Sequence, residues 1–442
     1  MPADLHCDLL LTNGRYLAPD MTIAGGKSIA IRDGRILDIV DRDACPYQAD
    51  TVLDSPDLLW MPGLVDGHLH TSQQLLRGRL LDEKPVIWKR VNVPFESRLD
   101  EESSRLSAQL AAIEMISCGT TGFVDAGGKY PEIYAEVYQA AGLRGRLSVM
   151  TNDNPFCPES LRASSVPEAV ERLRAMKRTL TGLLKPIYSV TTPTAVSEEL
   201  LRAVFEAAAE DRVPVETHMN EYASEVTDFI ERCGKRPFLW LEEEGLLSAP
   251  MTAPHCIFLS QEEIEILARR QVRVIHCPFS NCGKGVPPTP QLLHAGIPVG
   301  LGTDGSAHGG LDLFREMRLF RCVINATQGV ASADSHIMPA ETLLSMATKG
   351  GAAALMEPGL GLLQNGAPAD LIAVDAGAPH LWPTQNLVHT LVESASGSDV
   401  RHSIVNGRLL MKNRELLTID AQRVRREAEL LFEKQPWLQN WK

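Results

Sequence analysis

Three things are missing from this chain of 442 residues, and each absence closes off a class of function. Positive charge is the first. Lys and Arg number 43 against 56 Asp and Glu, a formal net charge of -13. Such a surface repels phosphate backbones, and no basic block or aromatic-basic ladder offsets it, so nucleic acid is excluded as a partner. The second is a long apolar run. No stretch reaches the roughly 18 uninterrupted apolar residues of a membrane span. Met1-Pro2-Ala3-Asp4-Leu5-His6-Cys7-Asp8 lacks the basic and apolar regions of a leader, so a cytoplasmic protein is expected. The third is a disulfide framework. Nine cysteines, an odd number, are scattered through segments that read as core, which fits a reducing compartment. Cys277 and Cys282 are not spaced as CxxC and read as small packing residues.

What is present is ordinary globular composition, 44% hydrophobic and 22% charged, over a length sufficient for one large domain and a smaller one. Asp8-Leu9-Leu10-Leu11-Thr12 and Ser28-Ile29-Ala30-Ile31-Arg32 are β-rich, and Asp33-Gly34 before Ile36 is a hairpin signal. The other end repeats this style in residues 369–374 and 402–411, with Asn406-Gly407 as the turn, before a charged amphipathic helix over 421–433. Between them, helical patterns at 101–117, 166–180, 197–211 and 261–270 alternate with short apolar strands at 122–125, 185–190, 213–217, 272–275 and 298–302. That alternation predicts an α/β fold, a (β/α)8 TIM-like barrel, with a small β-sandwich domain built from both chain ends. The expected division is 1–60 and 366–442 for the small domain and 61–365 for the barrel.

The apolar run from Leu58 ends in Asp66-Gly67-His68-Leu69-His70. Residues two apart on a strand share a face, so His68 and His70 present two imidazoles side by side. Imidazole suits zinc, iron, nickel and copper, and the pair is half of a metal site. In a barrel of this kind functional residues come from the C-terminal ends of several strands. The other strand ends carry His218-Met219-Asn220-Glu221, His255-Cys256, His276 and Thr303-Asp304-Gly305.

These segments resemble the amidohydrolase superfamily, in its deaminase and triazine-hydrolase branch, nearly end to end. The resemblance is carried by Pro62-Gly63-Leu64-Val65-Asp66-Gly67-His68-Leu69-His70, Leu75-Leu76-Arg77-Gly78, His218-Met219-Asn220-Glu221 and His255-Cys256. It continues through His276-Cys277-Pro278-Phe279-Ser280-Asn281, Gly302-Thr303-Asp304-Gly305 and Gly366-Ala367-Pro368-Ala369-Asp370-Leu371. It implies one divalent metal, zinc or iron, held by His68, His70, His218 and Asp304. A second metal would call for a bridging lysine at the end of the fourth strand. That stretch ends Ser189-Val190-Thr191-Thr192-Pro193, while Lys185 starts the strand and should point away, so a mononuclear site is expected.

The resemblance also implies hydrolytic deamination of an amino-substituted N-heterocycle. A divalent metal brings the pKa of bound water near 7. Asp304 would take a proton from that water, Glu221 would protonate a ring nitrogen, and His255 would stabilise the tetrahedral intermediate. The products are a ring carbonyl and ammonia. Zinc deaminases with H-x-E and P-C-x-x-C signatures have another fold, and that pair of motifs is absent here.

For the substrate, the segment from Leu75 through Trp88 to Pro94-Phe95-Glu96 is similar to enzymes acting on S-adenosylhomocysteine and methylthioadenosine, where a glutamate at the position of Glu96 holds ribose hydroxyls and Trp88 lies on the pocket side. Three stretches depart from them: Thr191-Thr192-Pro193, which looks more like triazine hydrolases; His308 where a small hydroxyl is usual; and the short Asn281-Cys282-Gly283-Lys284-Gly285 loop. His308 is therefore a substrate-contact candidate or a space filler. An adenosine-type nucleoside or related purine is the expected substrate. A triazine-type hydrolase, a guanine or pterin deaminase, and a non-catalytic member of the family stand as alternatives. The family also makes a homodimer an expectation, with no interface legible in the sequence.

Overall fold

The computed structural model describes residues 5–441. Met1-Pro2-Ala3-Asp4, half of the segment examined for a leader, lies outside the described residues, as does Lys442. Two five-stranded parallel sheets carry the middle of the chain. One runs Leu184–Pro186, Arg144–Leu147, Thr120–Asp125, Leu64–His70, Asp304–Gly305; the other runs Tyr188–Ser189, Val215–Glu216, Met251–Pro254, Arg273–His276, Val299–Leu301. The chain passes between them twice, through Ile187 and through Gly302-Thr303. At these crossings Ile187 donates its N–H to Leu147, Tyr188 to Pro214 and Gly302 to His276.

Helices follow the strands where the periodicity puts them, at Glu101–Cys118, Val166–Thr179, Glu198–Asp211 and Gln261–Arg270. Their ends have local causes. Asp100 and Ser103 form a reciprocal capping box, and Gly119 at φ 84° closes the same helix in the left-handed conformation that glycine tolerates best. Ser260 and Glu263 repeat the box before Gln261–Arg270.

Two details differ from the sequence reading. The expected strand at 185–190 is broken at Ile187 into Leu184–Pro186 and Tyr188–Ser189, where the chain changes sheets. Arg144–Leu147 is a strand the apolar pattern did not reveal, because two of its four residues are arginines. Both are partnered inside: Arg144 forks onto Asp370 at 2.7 and 3.1 Å, and Arg146 donates to the carbonyls of Leu355 and Pro186.

The chain ends form two further sheets, four strands in the order Arg35–Asp41, Lys27–Arg32, His6–Thr12, Gln48–Asp54, and seven that include Leu58–Pro62, Leu371–Asp375 and Val400–Val405. Asp33 and Gly34 (φ 51° and 73°) and Asn406 and Gly407 (φ 50° and 75°) have the positive φ values that a tight hairpin turn of the mirror-image type requires. Leu9, Leu11, Ile29 and Ile31 pack in one apolar cluster with Trp60, Leu371 and Ile404, so both ends share a core. The amphipathic pattern at 421–433 is the helix Ala421–Lys434. All nine cysteines are free; Cys277 is buried, but Cys282 is exposed on a loop, correcting its reading as a packing residue. Among the described residues no helix is long and apolar enough to cross a membrane.

Candidate active site

Strand register brings the chemistry together. Asp304 pairs with Leu69 and Gly305 with His70, so the aspartate lies beside the two histidines of the neighbouring strand. Asp66 locks this register by accepting from the backbone N–H of His68 and from both the N–H and hydroxyl of Thr303. Asp304 (φ 60°), His255 (φ 71°) and Asn220 (φ 52°) hold left-handed backbone conformations, strain that is retained where the chain must turn sharply to aim a side chain.

The ligating atoms of His68, His218, His255 and Asp304 lie within 4.8 Å of one another. His70 joins from the side, its Nε2 3.0 Å from His218 Nε2 and 3.2 Å from Asp304 Oδ1. The outer nitrogens of three imidazoles are engaged elsewhere. His68 Nδ1 donates to Glu216 Oε1 at 2.5 Å and His218 Nδ1 to the Thr191 carbonyl, while His255 Nδ1 lies 2.9 Å from the side-chain amide of Asn281. Glu216 and the Thr191 carbonyl assign the proton of His68 and His218 to Nδ1 and leave their Nε2 lone pairs turned into the cluster, while the Asn281 amide can meet either tautomer of His255. The Nε2 atoms of His68 and His255 are buried with no hydrogen-bond partner. Acceptors converging on acceptors fit a cation, and this nitrogen–oxygen set suits a divalent transition metal.

The electrostatics agree. Burial works against a charged His68, yet Glu216 and Asp304 outweigh it and push its pKa up to about 10. His218 is held well below the ordinary imidazole value, first by burial and then by its imidazole neighbours. Burial alone would raise Asp304, but the facing imidazoles of His68 and His70 and the nearby Lys284 hold it well below the carboxylate range. The cluster calls for positive charge between carboxylate and imidazoles.

On one wall of the pocket above this floor, Glu221 Oε1 is 3.8 Å from His255 Nε2 and 2.5 Å from Lys284 Nζ. Opposite, Glu96 is buried and accepts from Ser72 Oγ (2.8 Å) and Gln73 Nε2 (3.0 Å), both on Oε1. Burial raises the Glu96 pKa, with His70 and these donors opposing it. Trp88 lines the pocket with its ring, its indole N–H being taken by Glu225 Oε1 at 2.9 Å. His308 stands at the boundary with a second, outer cavity that also touches Phe279 and Leu81.

Residues 59–410 match the profile of the Amidohydrolase family. The chain belongs to this family. It is 37% identical over 432 residues to a 5-methylthioadenosine/S-adenosylhomocysteine deaminase of Syntrophobacter fumaroxidans, covering 95% of this chain and 96% of the relative. It is 35% identical over 433 residues to a 5'-deoxyadenosine deaminase of Methanosarcina acetivorans, covering 97% and 98%. Among solved structures, an adenosine deaminase from Xanthomonas campestris with bound zinc aligns with a TM-score of 0.89 at 26% identity, over 97% of this chain and 98% of that one. A zinc-complexed atrazine chlorohydrolase from Arthrobacter aurescens aligns with a TM-score of 0.87 at 22% identity, over 96% and 99%, a likeness of fold. These neighbours imply a TIM-like barrel of α/β content.

In this amidohydrolase the site residues expected from the sequence gather at one pocket, His68, His70, His218, His255 and Asp304 on its floor and Glu221, Glu96, Trp88 and His308 on its walls, but the strand-end His276 stays outside, its Nδ1 donating to the His255 carbonyl. Lys185 pairs with Glu357 away from it. Sequence reasoning missed Glu216, Asn281 and Lys284. Glu216 stands two residues before His218, and strand alternation aims both inward, a signal that was available. Asn281 lay in a quoted motif without a role. Lys284, flanked by Gly283 and Gly285, reads as a solvated turn, yet its side chain is only 4% exposed.

Proposed function

We propose that this amidohydrolase is a metal-dependent hydrolytic deaminase of adenosine-type nucleosides or related purines. In this reading the two parallel sheets are halves of one closed (β/α)8 barrel spanning 61–365, which chain continuity through Ile187 and Gly302-Thr303 supports, and 1–60 with 366–442 form a β-sandwich beside it. The observation that carries the reading is Glu221: a carboxylate on the pocket wall, facing the metal cluster beside His255, where a ring nitrogen needs a proton. Curated relatives named as deaminases of methylthioadenosine, S-adenosylhomocysteine and 5'-deoxyadenosine support the same chemistry.

His68, His70, His218 and Asp304 would hold one divalent ion, zinc being the best match to the donor set and to the zinc-bound neighbours. His255 also falls within the cluster, but it is the imidazole that approaches Glu221, which assigns it to the substrate side. When bound, the ion lowers the pKa of water and supplies hydroxide near neutral pH. Asp304 accepts the proton of the attacking water. Glu221 delivers a proton to the ring nitrogen next to the carbon under attack, and His255 donates a hydrogen bond to the oxygen that gains charge. A proton then passes to the amine, which leaves as ammonia. Glu96 keeps Oε2 free of any protein donor among the described residues, an acceptor suited to a ribose diol. Buried and unpartnered, Asn92 Oδ1 lies in the same pocket wall. Trp88 supplies a flat apolar surface for the base.

The test is ammonia release by zinc- or iron-loaded protein from adenosine, methylthioadenosine, S-adenosylhomocysteine, guanine, pterins and aminotriazines, with Glu221→Gln as control. Release from adenine nucleosides that disappears in the control is expected. Release only from free bases or triazines would overturn the nucleoside assignment, and release undiminished in Glu221→Gln would overturn the mechanism.

A further inference from the structure

The short loop after the strand Arg273–His276 does more than close a turn. Lys284 Nζ forms an ion pair with Glu221 Oε1 at 2.5 Å and donates to Ser280 Oγ at 2.6 Å, and Ser280 Oγ donates to Asp304 Oδ2 at 2.6 Å. A continuous bridge, Glu221–Lys284–Ser280–Asp304, therefore joins the carboxylate of the pocket wall to the one in the metal cluster. All four side chains are buried, those of Lys284 and Ser280 about as fully as the carboxylates they join. Among the described residues Lys284 is the only group within hydrogen-bond distance of the Glu221 carboxylate; His255 Nε2 stands at 3.8 Å. Ser280 is the only group within that distance of Asp304 Oδ2.

The loop backbone is built to hold this side chain. Asn281 accepts from the N–H groups of both Lys284 and Gly285, coiling the loop tightly, while its side chain fixes His255. At Gly285 a Cβ would come within 2.7 Å of Ile257, so glycine permits the close approach that turns Lys284 inward. Tyr222 covers the ammonium, its ring centroid 5.6 Å away.

We propose that Lys284 is a positioning residue for deamination, fixing the Glu221 carboxylate in register with Asp304 through Ser280. The inference rests on the acid role given to Glu221 above. A carboxyl that must deliver a proton works only within hydrogen-bond reach of the accepting atom. Glu221 follows Asn220, whose backbone is left-handed, and has no other donor to select its rotamer. Without Lys284 it is free to swing toward the outer cavity, which Lys284 and Tyr222 also line.

The experiment uses the full-length, metal-loaded protein and separates kcat from KM with methylthioadenosine. Lys284→Met keeps the length of the side chain and removes the donor. A fall in kcat of about 100-fold is expected, the scale of a 1 Å misplacement, with KM changed less than about threefold. Metal content by mass spectrometry and Tm are expected to stay at the parent values. Ser280→Ala, which leaves the Lys284–Glu221 contact in place, is expected to lose about 10-fold in kcat, a fraction of the same positional effect. Lys284→Cys treated with bromoethylamine regains an ammonium at nearly the original distance and should recover most of kcat, with treated parent protein as the control for Cys282 and Cys322. Parent-like kcat in Lys284→Met, beside an inactive Glu221→Gln, would overturn the bridge and leave the deaminase reading standing. Activity retained in both variants would overturn the acid role itself. A Lys284→Met protein that loses metal or folds poorly, and a cysteine variant whose alkylation restores nothing, would make Lys284 structural and overturn the proposal.

Discussion

The floor of the pocket and its rim are built on opposite plans. On the floor four of the five groups are held from behind: Glu216 grips His68, the Thr191 carbonyl grips His218, Asn281 grips His255, and Asp66 ties Thr303 and hence Asp304 to the first strand. Those supports come from strand ends and the turns directly after them, where backbone pairing sets position. On the rim, Trp88, Asn92 and Glu96 ride on a π-helical turn, Trp88–Asn92, and the short helix Val93–Ser97, while Lys284 sits on a loop and His308 ends the single 3-10 turn Ser306–His308. A rim of this kind can change its substrate without disturbing the metal cluster beneath it.

Variants can break this comparison. The largest expected effect is on the floor: His218→Ala should lose the metal and lower kcat/KM on the order of 10⁴-fold for every substrate, checked by metal analysis and steady-state kinetics. His255→Ala is a sharper cut. It should keep the metal and lose about 10²- to 10³-fold in kcat, the cost of removing one donor to a developing oxyanion; if it lost the metal while His70→Ala retained it, the two histidines would exchange roles. On the rim, Glu96→Gln should raise KM for ribonucleosides about 10- to 100-fold and leave turnover of the free base unchanged, the worth of hydrogen bonds to a charged acceptor. Equal losses on nucleoside and base would place Glu96 with the floor.

The smallest effect is on stability. Burial, then the nearby Glu221, push the Glu225 carboxyl from its ordinary 4.5 up to about 8. A raised acid is better accommodated protonated, so its contribution to stability is full below about pH 4.5 and is lost as pH rises toward 8. Glu225→Gln should therefore show a flatter fall in Tm over that interval than the parent protein. A parallel fall in both would rule this out.

The same contrast explains what the sequence could and could not tell. The floor was legible because strand alternation aims residues two apart at one face, and His68, His70, His218 and Asp304 all follow recognisable apolar strands. Arg144–Leu147 was not, because its two arginines break the apolar pattern and their pairing with Asp370 and with distant carbonyls is a tertiary fact. Ile187 gave no sign that the fourth strand divides there. Lys284 was hidden for a related reason: Gly-Lys-Gly has the composition of an exposed turn, and only the close approach at Gly285 turns the side chain inward. Thr191 contributes through its backbone carbonyl, which no side-chain pattern records.

The C-terminal residues have a spectroscopic consequence. Trp437 and Trp441 both pack on Phe95, with ring centroids at 5.5 Å, and Arg98 lies 4.3 Å over Trp437. Trp88 belongs to the same stretch of chain but faces the pocket. Intrinsic fluorescence therefore carries two reporters on the segment that bears Glu96, one in the path of a bound ring and one behind it. Removing the first with Trp88→Phe leaves the emission of Trp437 and Trp441 over a background from Trp60, Trp240 and Trp382, none of which lines the pocket, so a ligand-dependent change that survives reports the segment and one that disappears reports occupancy.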